Sequence, residues 1–166
     1  KTCLRLDACT GKTLTTYRAP GLWGWIAKDG PLLLGSGSEL DARRKRADPK
    51  ISNSVFAIES TSGELKWTHK GGRIEHDGIA VGGGRLFLVD SELTDQQRAE
   101  GLKNTIRDSS VADRQAVDRR GKPIAADIRK LVVLDMKTGK PIWAIPFNAT
   151  DITLDDTIVS DGRVAV

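Results

Sequence analysis

Three copies of one twelve-residue pattern, at 4–15, 56–67 and 132–143, set the terms on which this chain folds. In each copy an acidic residue (Asp7, Glu59, Asp135) follows a short alternating segment. A glycine (Gly11, Gly63, Gly139) comes four positions later, and an aromatic slot lies another four on. Trp67 and Trp143 fill that slot in the second and third copies; the first has Thr15 there, with Tyr17 two residues on. The apolar pairs Leu4/Leu6, Phe56/Ile58 and Val132/Leu134 sit at alternate positions, the period of a half-buried strand. The acidic side chain accepts hydrogen bonds from turn N–H groups, and the glycine takes a positive φ that closes the loop into a returning strand. Each copy therefore predicts a β-hairpin whose second strand buries its aromatic residue.

A second module follows each hairpin at similar distance, at 24–34, 77–89 and 156–166. All three read as strand, glycine-containing turn, strand, so that one unit holds two hairpins and four strands. The acidic residues of successive copies are 52 and 76 positions apart, and the excess in the second interval comes from a charged stretch at 91–130. Without that stretch the unit approaches the length of about 40–50 residues that builds one propeller blade. The expected fold is all-β: antiparallel four-stranded blades of a β-propeller in an incomplete ring, with a partly helical insertion. The whole chain, 1–166, is read as about three blades, with the insertion at 91–130 between blades.

The segment from Leu134 to Trp143, Leu-Asp-x-x-Thr-Gly-Lys-x-x-Trp, resembles the repeat of pyrroloquinoline-quinone (PQQ) enzyme-type β-propellers. The copy from Leu6 keeps Leu-Asp and Thr-Gly-Lys, while the copy ending at Trp67 keeps the glycine and the tryptophan. The resemblance implies that each tryptophan docks on a neighbouring blade, in rings usually of eight blades. About three blades do not close a ring, so the partners expected are the remaining blades of the same protein or other protein chains. In catalytic members of the resembled family a vicinal Cys-Cys disulfide and a Trp hold the quinone, with calcium near a carboxylate and an Asp base. Cys3 and Cys9 are not adjacent, and nothing in the sequence assigns Trp23 or Trp25 to a cofactor site. No catalytic, cofactor-binding or metal residue is carried over; PQQ with calcium belongs to the alternative reading of a dehydrogenase whose active site lies in other blades. A sensor propeller fused to a catalytic domain is the third reading.

Composition narrows the classes further. Hydrophobic residues make up 39% and charged residues 29%, a globular balance, with a net charge of +4. No stretch approaches the roughly 18 apolar residues of a membrane-spanning helix. Two cysteines make no disulfide framework. The chain begins Lys1-Thr2-Cys3-Leu4 and ends within an alternating segment at 162–166, which leads to the expectation of a segment of a longer, extracytoplasmic (periplasmic) protein whose export signal lies upstream.

Other candidate chemistry reads as structure. The run Arg43-Arg44-Lys45-Arg46 is flanked by Glu39, Asp41 and Asp48 and lacks interleaved aromatics, so it reads as a solvated loop and no nucleic-acid partner is expected. His69 and His76 are not at a metal-ligand spacing, and His76 reads as a hydrogen-bonded turn residue. Gly82-Gly83-Gly84 lacks the ending of a phosphate loop and reads as a hairpin turn. Asp151, Asp155, Asp156 and Asp161 read as turn caps, not as an EF-hand loop. In the insertion, Thr94 and Gln97 match a capping box, with Leu93, Leu102 and Ile106 near one face and Gly101 weakening the helix; 113–121 offers a second short helix. The expected function is a non-catalytic binding or assembly scaffold.

Overall fold

A computed structural model describes residues 2–38, 50–104, 120 and 125–150. The basic run at 43–46 with its acidic neighbours, Ile106, nearly all of the second helical stretch, the four aspartates from Asp151 to Asp161 and the module at 156–166 lie outside the described residues.

Among the described residues, nine strands and one helix follow in chain order. They are β1 (Cys3–Leu6), β2 (Thr13–Tyr17), β3 (Leu22–Asp29), β4 (Leu32–Ser38), β5 (Ile51–Glu59), β6 (Leu65–Gly82), β7 (Arg85–Asp90), α1 (Asp95–Gly101), β8 (Ile128–Asp135) and β9 (Pro141–Asn148). β1 and β2 form a two-stranded sheet, and β3 to β9 pair antiparallel with their sequence neighbours in one seven-stranded run.

The 18-residue β6 divides that run in two. Its first part, from Leu65 to Glu75, pairs with β5; its second, from Ile74 to Gly82, pairs with β7, and the register breaks between Ile74 and Ile79. The result is two four-stranded antiparallel blades that share one strand: β3-β4-β5-β6 and β6-β7-β8-β9. Alternation then sends each blade's apolar residues to opposite faces. Leu34, Val55, Ala57 and Trp67 of the first blade share one core with Leu86, Leu88, Val132 and Leu134 of the second. The opposite face of the first blade, Leu33, Phe56 and Ile58, packs with Tyr17 of the β1–β2 hairpin. Fully burying each such aliphatic side chain contributes about 1.5–3 kcal/mol, so blade stacking is the main source of stability. The array is open among the described residues, with β3 and β9 at the ends of the seven-stranded run.

The insertion leaves after β7 and rejoins at β8. The sequence reading put it between blades; β7 and β8 are hydrogen-bonded neighbours, from Arg85↔Asp135 to Asp90↔Lys130, so it leaves one sheet and returns to the same sheet. Its helix α1 starts at the capping box expected, with Thr94 Oγ1 accepting from Gln97 N and Gln97 Oε1 accepting from Thr94 N. Leu102 is exposed, contrary to the expected apolar face. Gly101 is buried instead, because a Cβ there would run into Ile128 Cγ2. The glycine read as a weakness is what lets the helix approach β8 and β9.

Candidate functional site

The three acidic turns are built alike. Asp7 Oδ1 accepts from Cys9 N, Thr10 N and Thr10 Oγ1 at 2.7–3.0 Å. Asp135 Oδ1 accepts from Thr138 N and Oγ1, both at 2.8 Å, and Glu59 Oε2 accepts from Thr61 N and Ser62 N. Gly11, Gly63 and Gly139 have φ of 69°, 77° and 68° and donate to the carbonyls of Asp7, Glu59 and Asp135. These bonds favour the charged carboxylates. The Thr10 and Thr138 side chains lower Asp7 and Asp135, and the Ser62 backbone N–H holds Glu59 at about 2.

The aromatic residue of one copy closes on the acidic turn of the next. Trp67 Nε1 donates to Met136 O at 2.9 Å, with its ring over Gly139. Tyr17 Oη donates to Ser60 O at 2.6 Å, and Ser60 follows Glu59 as Met136 follows Asp135. Tyr17, displaced by two positions from the aromatic slot, thus makes the bond that Trp67 makes. Trp143 occupies the same slot and was expected to be buried. It is 40% exposed, against 9% for Trp67, because no following acidic turn covers it among the described residues.

Trp23 and Trp25 do not act together. Trp23 meets Phe56 edge-on at 4.9 Å between ring centroids, whereas Trp25 packs on the core between the two blades. A register break between Trp23 and Ile26 puts these i, i+2 residues on different faces. No group of three or more His, Cys, Asp or Glu side chains among the described residues is placed to hold a metal ion. Cys3 and Cys9 are free thiols, and burial pushes Cys3 up.

His76 is hydrogen-bonded, though within β6 and not at a turn. Its Nε2 lies 2.8 Å from Ser52 Oγ and 3.2 Å from Ser36 Oγ; Ser52 Oγ donates to Ser36 Oγ, which also accepts from Trp25 N. Both serines are buried, and a Cβ on Gly24 would stand 2.5 Å from His76 Cε1. This nest ties β3, β4, β5 and β6 together. His69 is half-buried opposite Val55; burial pushes its imidazole down, against the Asp90 carboxylate.

The register break of β6 against β5, between Lys70 and Ile74, is held by Asp90, whose side chain is 1% exposed. Its Oδ1 accepts from Gly72 N, Arg73 N and Glu92 N at 2.9–3.1 Å, and Lys130 Nζ stands 3.6 Å from Oδ2. Three backbone donors and a cation compensate the buried charge.

Two clefts flank this break. One, of about 320 Å³, is lined by Pro20, Gly21, Asn53, Ser54, Thr68, Lys70 and Gly71. The other, of about 290 Å³, is lined by Arg73, Glu75, Val89, Ser91, Asp127 and Arg129. Ser91 and Asp127 stand where the insertion leaves and rejoins the blade, so this cleft opens at its root. Across it runs a chain of alternating charges. Arg73 Nε lies 3.8 Å from Glu75 Oε1, Arg129 Nη1 lies 2.8 Å from Glu75 Oε2, and Arg129 Nη2 and Nε donate to Asp127 Oδ2 at 2.7 and 3.0 Å. The Asp127 hydrogen bond raises Arg129 first, with Glu75 adding to it. None of these residues belongs to a motif. They meet through strand pairing, Glu75 and Arg129 being 54 positions apart.

No family model and no curated protein match the chain. Among solved structures it is similar to the crystal structure of BamB from Moraxella catarrhalis, at 18% identity and a TM-score of 0.37. That match covers 86% of this chain and 42% of the other, so the chain spans less than half the length of the structure it resembles.

Proposed function

We propose that this chain is a non-catalytic propeller segment that serves as a scaffold for protein binding and assembly. The observation that carries the reading is the repeated lock. Tyr17 and Trp67 each close on the acidic turn of the following copy, and Trp143 presents the same residue 40% exposed. Its natural occupant is a further acidic turn, from the remaining blades of the same protein or from another protein chain. The polar groups support the reading too, since the Ser36–Ser52–His76 nest and Asp90 are engaged in holding strands together. No helix among the described residues is long and apolar enough to cross a membrane. An extracytoplasmic location is part of the same proposal and rests on the resemblance of the repeat.

The test is a titration of the full-length protein with PQQ and calcium, followed by cofactor absorbance and melting temperature. The scaffold reading expects no saturable binding and no rise in midpoint in folded protein. Saturable binding with a raised midpoint overturns it and returns the chain to the quinoprotein dehydrogenases.

A further inference from the structure

We propose that the cleft at the root of the insertion is a recognition site for a short peptide segment carrying both a carboxylate and a cationic group. The inference rests on the scaffold reading and adds the chemistry of one partner segment.

The four charges of the cleft are unequally engaged. Glu75 and Arg129 are the inner pair, 23% and 17% exposed, and each is held by the other at 2.8 Å. Arg129 uses Nε and Nη2 on the Oδ2 atom of Asp127. The outer charges are differently placed. Arg73 is 60% exposed and touches Glu75 through Nε at 3.8 Å, and its Nη groups have no hydrogen-bond partner among the described residues. Asp127 is 45% exposed, and its Oδ1 likewise has no partner among them.

One rim of the cleft therefore offers a guanidinium fork, the geometry suited to a carboxylate. Asp127 offers an acceptor for an ammonium or guanidinium, and Ser91 adds a hydroxyl to the lining. The inner pair between them repels neither end of such a ligand, because its charges cancel. A volume of about 290 Å³ is at the small end of ligand clefts, which suits a few peptide units. The site also sits where the insertion leaves the sheet, and connections that leave a sheet are a usual place for binding residues.

The test is ligand-observed saturation-transfer NMR on the full-length protein with three blocked or free tripeptides. Acetyl-Lys-Gly-Asp-amide carries both charges on side chains, free Gly-Gly-Gly carries them on its termini, and acetyl-Gly-Gly-Gly-amide carries neither. Binding is expected for one or both charged peptides and not for the neutral one, and the charged peptide that binds names the source of the charges. Affinity is expected to fall as salt rises from low to physiological strength. Arg73→Gln and Ser91→Ala lie at the cleft's edge and keep the fold, checked by melting temperature; Asp127→Asn keeps an acceptor for Arg129. Arg73→Gln and Asp127→Asn are each expected to raise the dissociation constant at least about threefold, the scale of one partly exposed ion pair. Equal binding of the neutral peptide, no effect of either charge variant, or no binding at millimolar peptide overturns the assignment. Such a failure leaves the PQQ titration as the separate judge of the scaffold reading.

Discussion

Replacing Gly139 by alanine isolates the contact that joins the two blades. Gly63 and Gly139 occupy the same position in successive copies, at φ of 77° and 68°, so alanine meets nearly the same backbone strain at both. That strain is about 1–2 kcal/mol. Their surroundings differ. A Cβ on Gly63 meets Thr15 and Tyr17 at 3.9 Å, ordinary contact, because Tyr17 lies two positions beyond the slot and reaches the turn with its hydroxyl. A Cβ on Gly139 would stand 2.5 Å from Trp67 Cδ2 and Cε3, and the indole must move. Displacing it adds an overpacking cost of about 1–3 kcal/mol. Loss of the 2.9 Å bond from Trp67 Nε1 to Met136 O adds about 1 kcal/mol. Gly139→Ala is therefore expected to cost about 3–6 kcal/mol and Gly63→Ala about 1–2 kcal/mol. Urea unfolding followed by tryptophan fluorescence measures both. In a double-mutant cycle with Trp67→Ala, the cost of Gly139→Ala should shrink to that of Gly63→Ala. Equal costs for the two glycine variants, or full additivity in the cycle, would refute the account of the lock.

Three further expectations bear on other joints of the fold. Gly24→Ala puts a Cβ 2.5 Å from His76 Cε1 and 2.8 Å from Ser52 Oγ, and should cost about 2–3 kcal/mol by thermal melting, with much of the loss relieved in combination with His76→Ala. Gly101→Ala sets a helix-propensity gain of about 1 kcal/mol against the collision with Ile128, and the collision should win. Hydrogen exchange at Asn148 N–H, bonded to Asn104 O just past α1, should then speed up as the helix lifts from β9. Glu59, held at about 2 against an ordinary 4.5 chiefly by the Ser62 backbone N–H, contributes stability that is present above about pH 4.5 and lost as pH falls toward 2. Glu59→Gln should flatten the stability profile across that window, and an unchanged acid slope in urea unfolding would count against the turn's role.

The repeat was legible because its bonds are local. Asp135 to Gly139 close a turn within five residues, so acidic residue, glycine and returning strand are fixed by near neighbours and show as a pattern at constant spacing. The capping box at Thr94 and Gln97 was readable for the same reason. What escaped sequence reasoning depends on strands far apart in the chain. Gly101 looks like a helix breaker until Ile128 is brought against it, and Trp23 and Trp25 look like one face until the irregularity in β3 turns them apart. His76 showed no ligand spacing, and its partners Ser36 and Ser52 carry no motif at all. The cleft is the extreme case: Arg73, Glu75, Asp127 and Arg129 are four ordinary surface letters until β6, β7 and β8 align.

The lock itself shows why a motif can be specific for architecture and still lose a residue. The following turn presents a backbone carbonyl beside a glycine, Ser60 with Gly63 and Met136 with Gly139. It asks for a flat side chain that ends in a donor. Tryptophan at the slot meets this with Nε1, and tyrosine two residues later meets it with a longer reach and Oη, on the same face of its strand because the shift is two. A one-residue shift would send the ring to the other face. Substitution of the lock residue is therefore permitted only in steps of two with an aromatic donor retained. Moving the tyrosine of the first copy to position 16, as Thr16→Tyr with Tyr17→Thr, should abolish the bond to Ser60 and release the β1–β2 hairpin. Hydrogen exchange in β1 and β2 would report it, and a hairpin left as protected as before would show that Tyr17 is not what holds it.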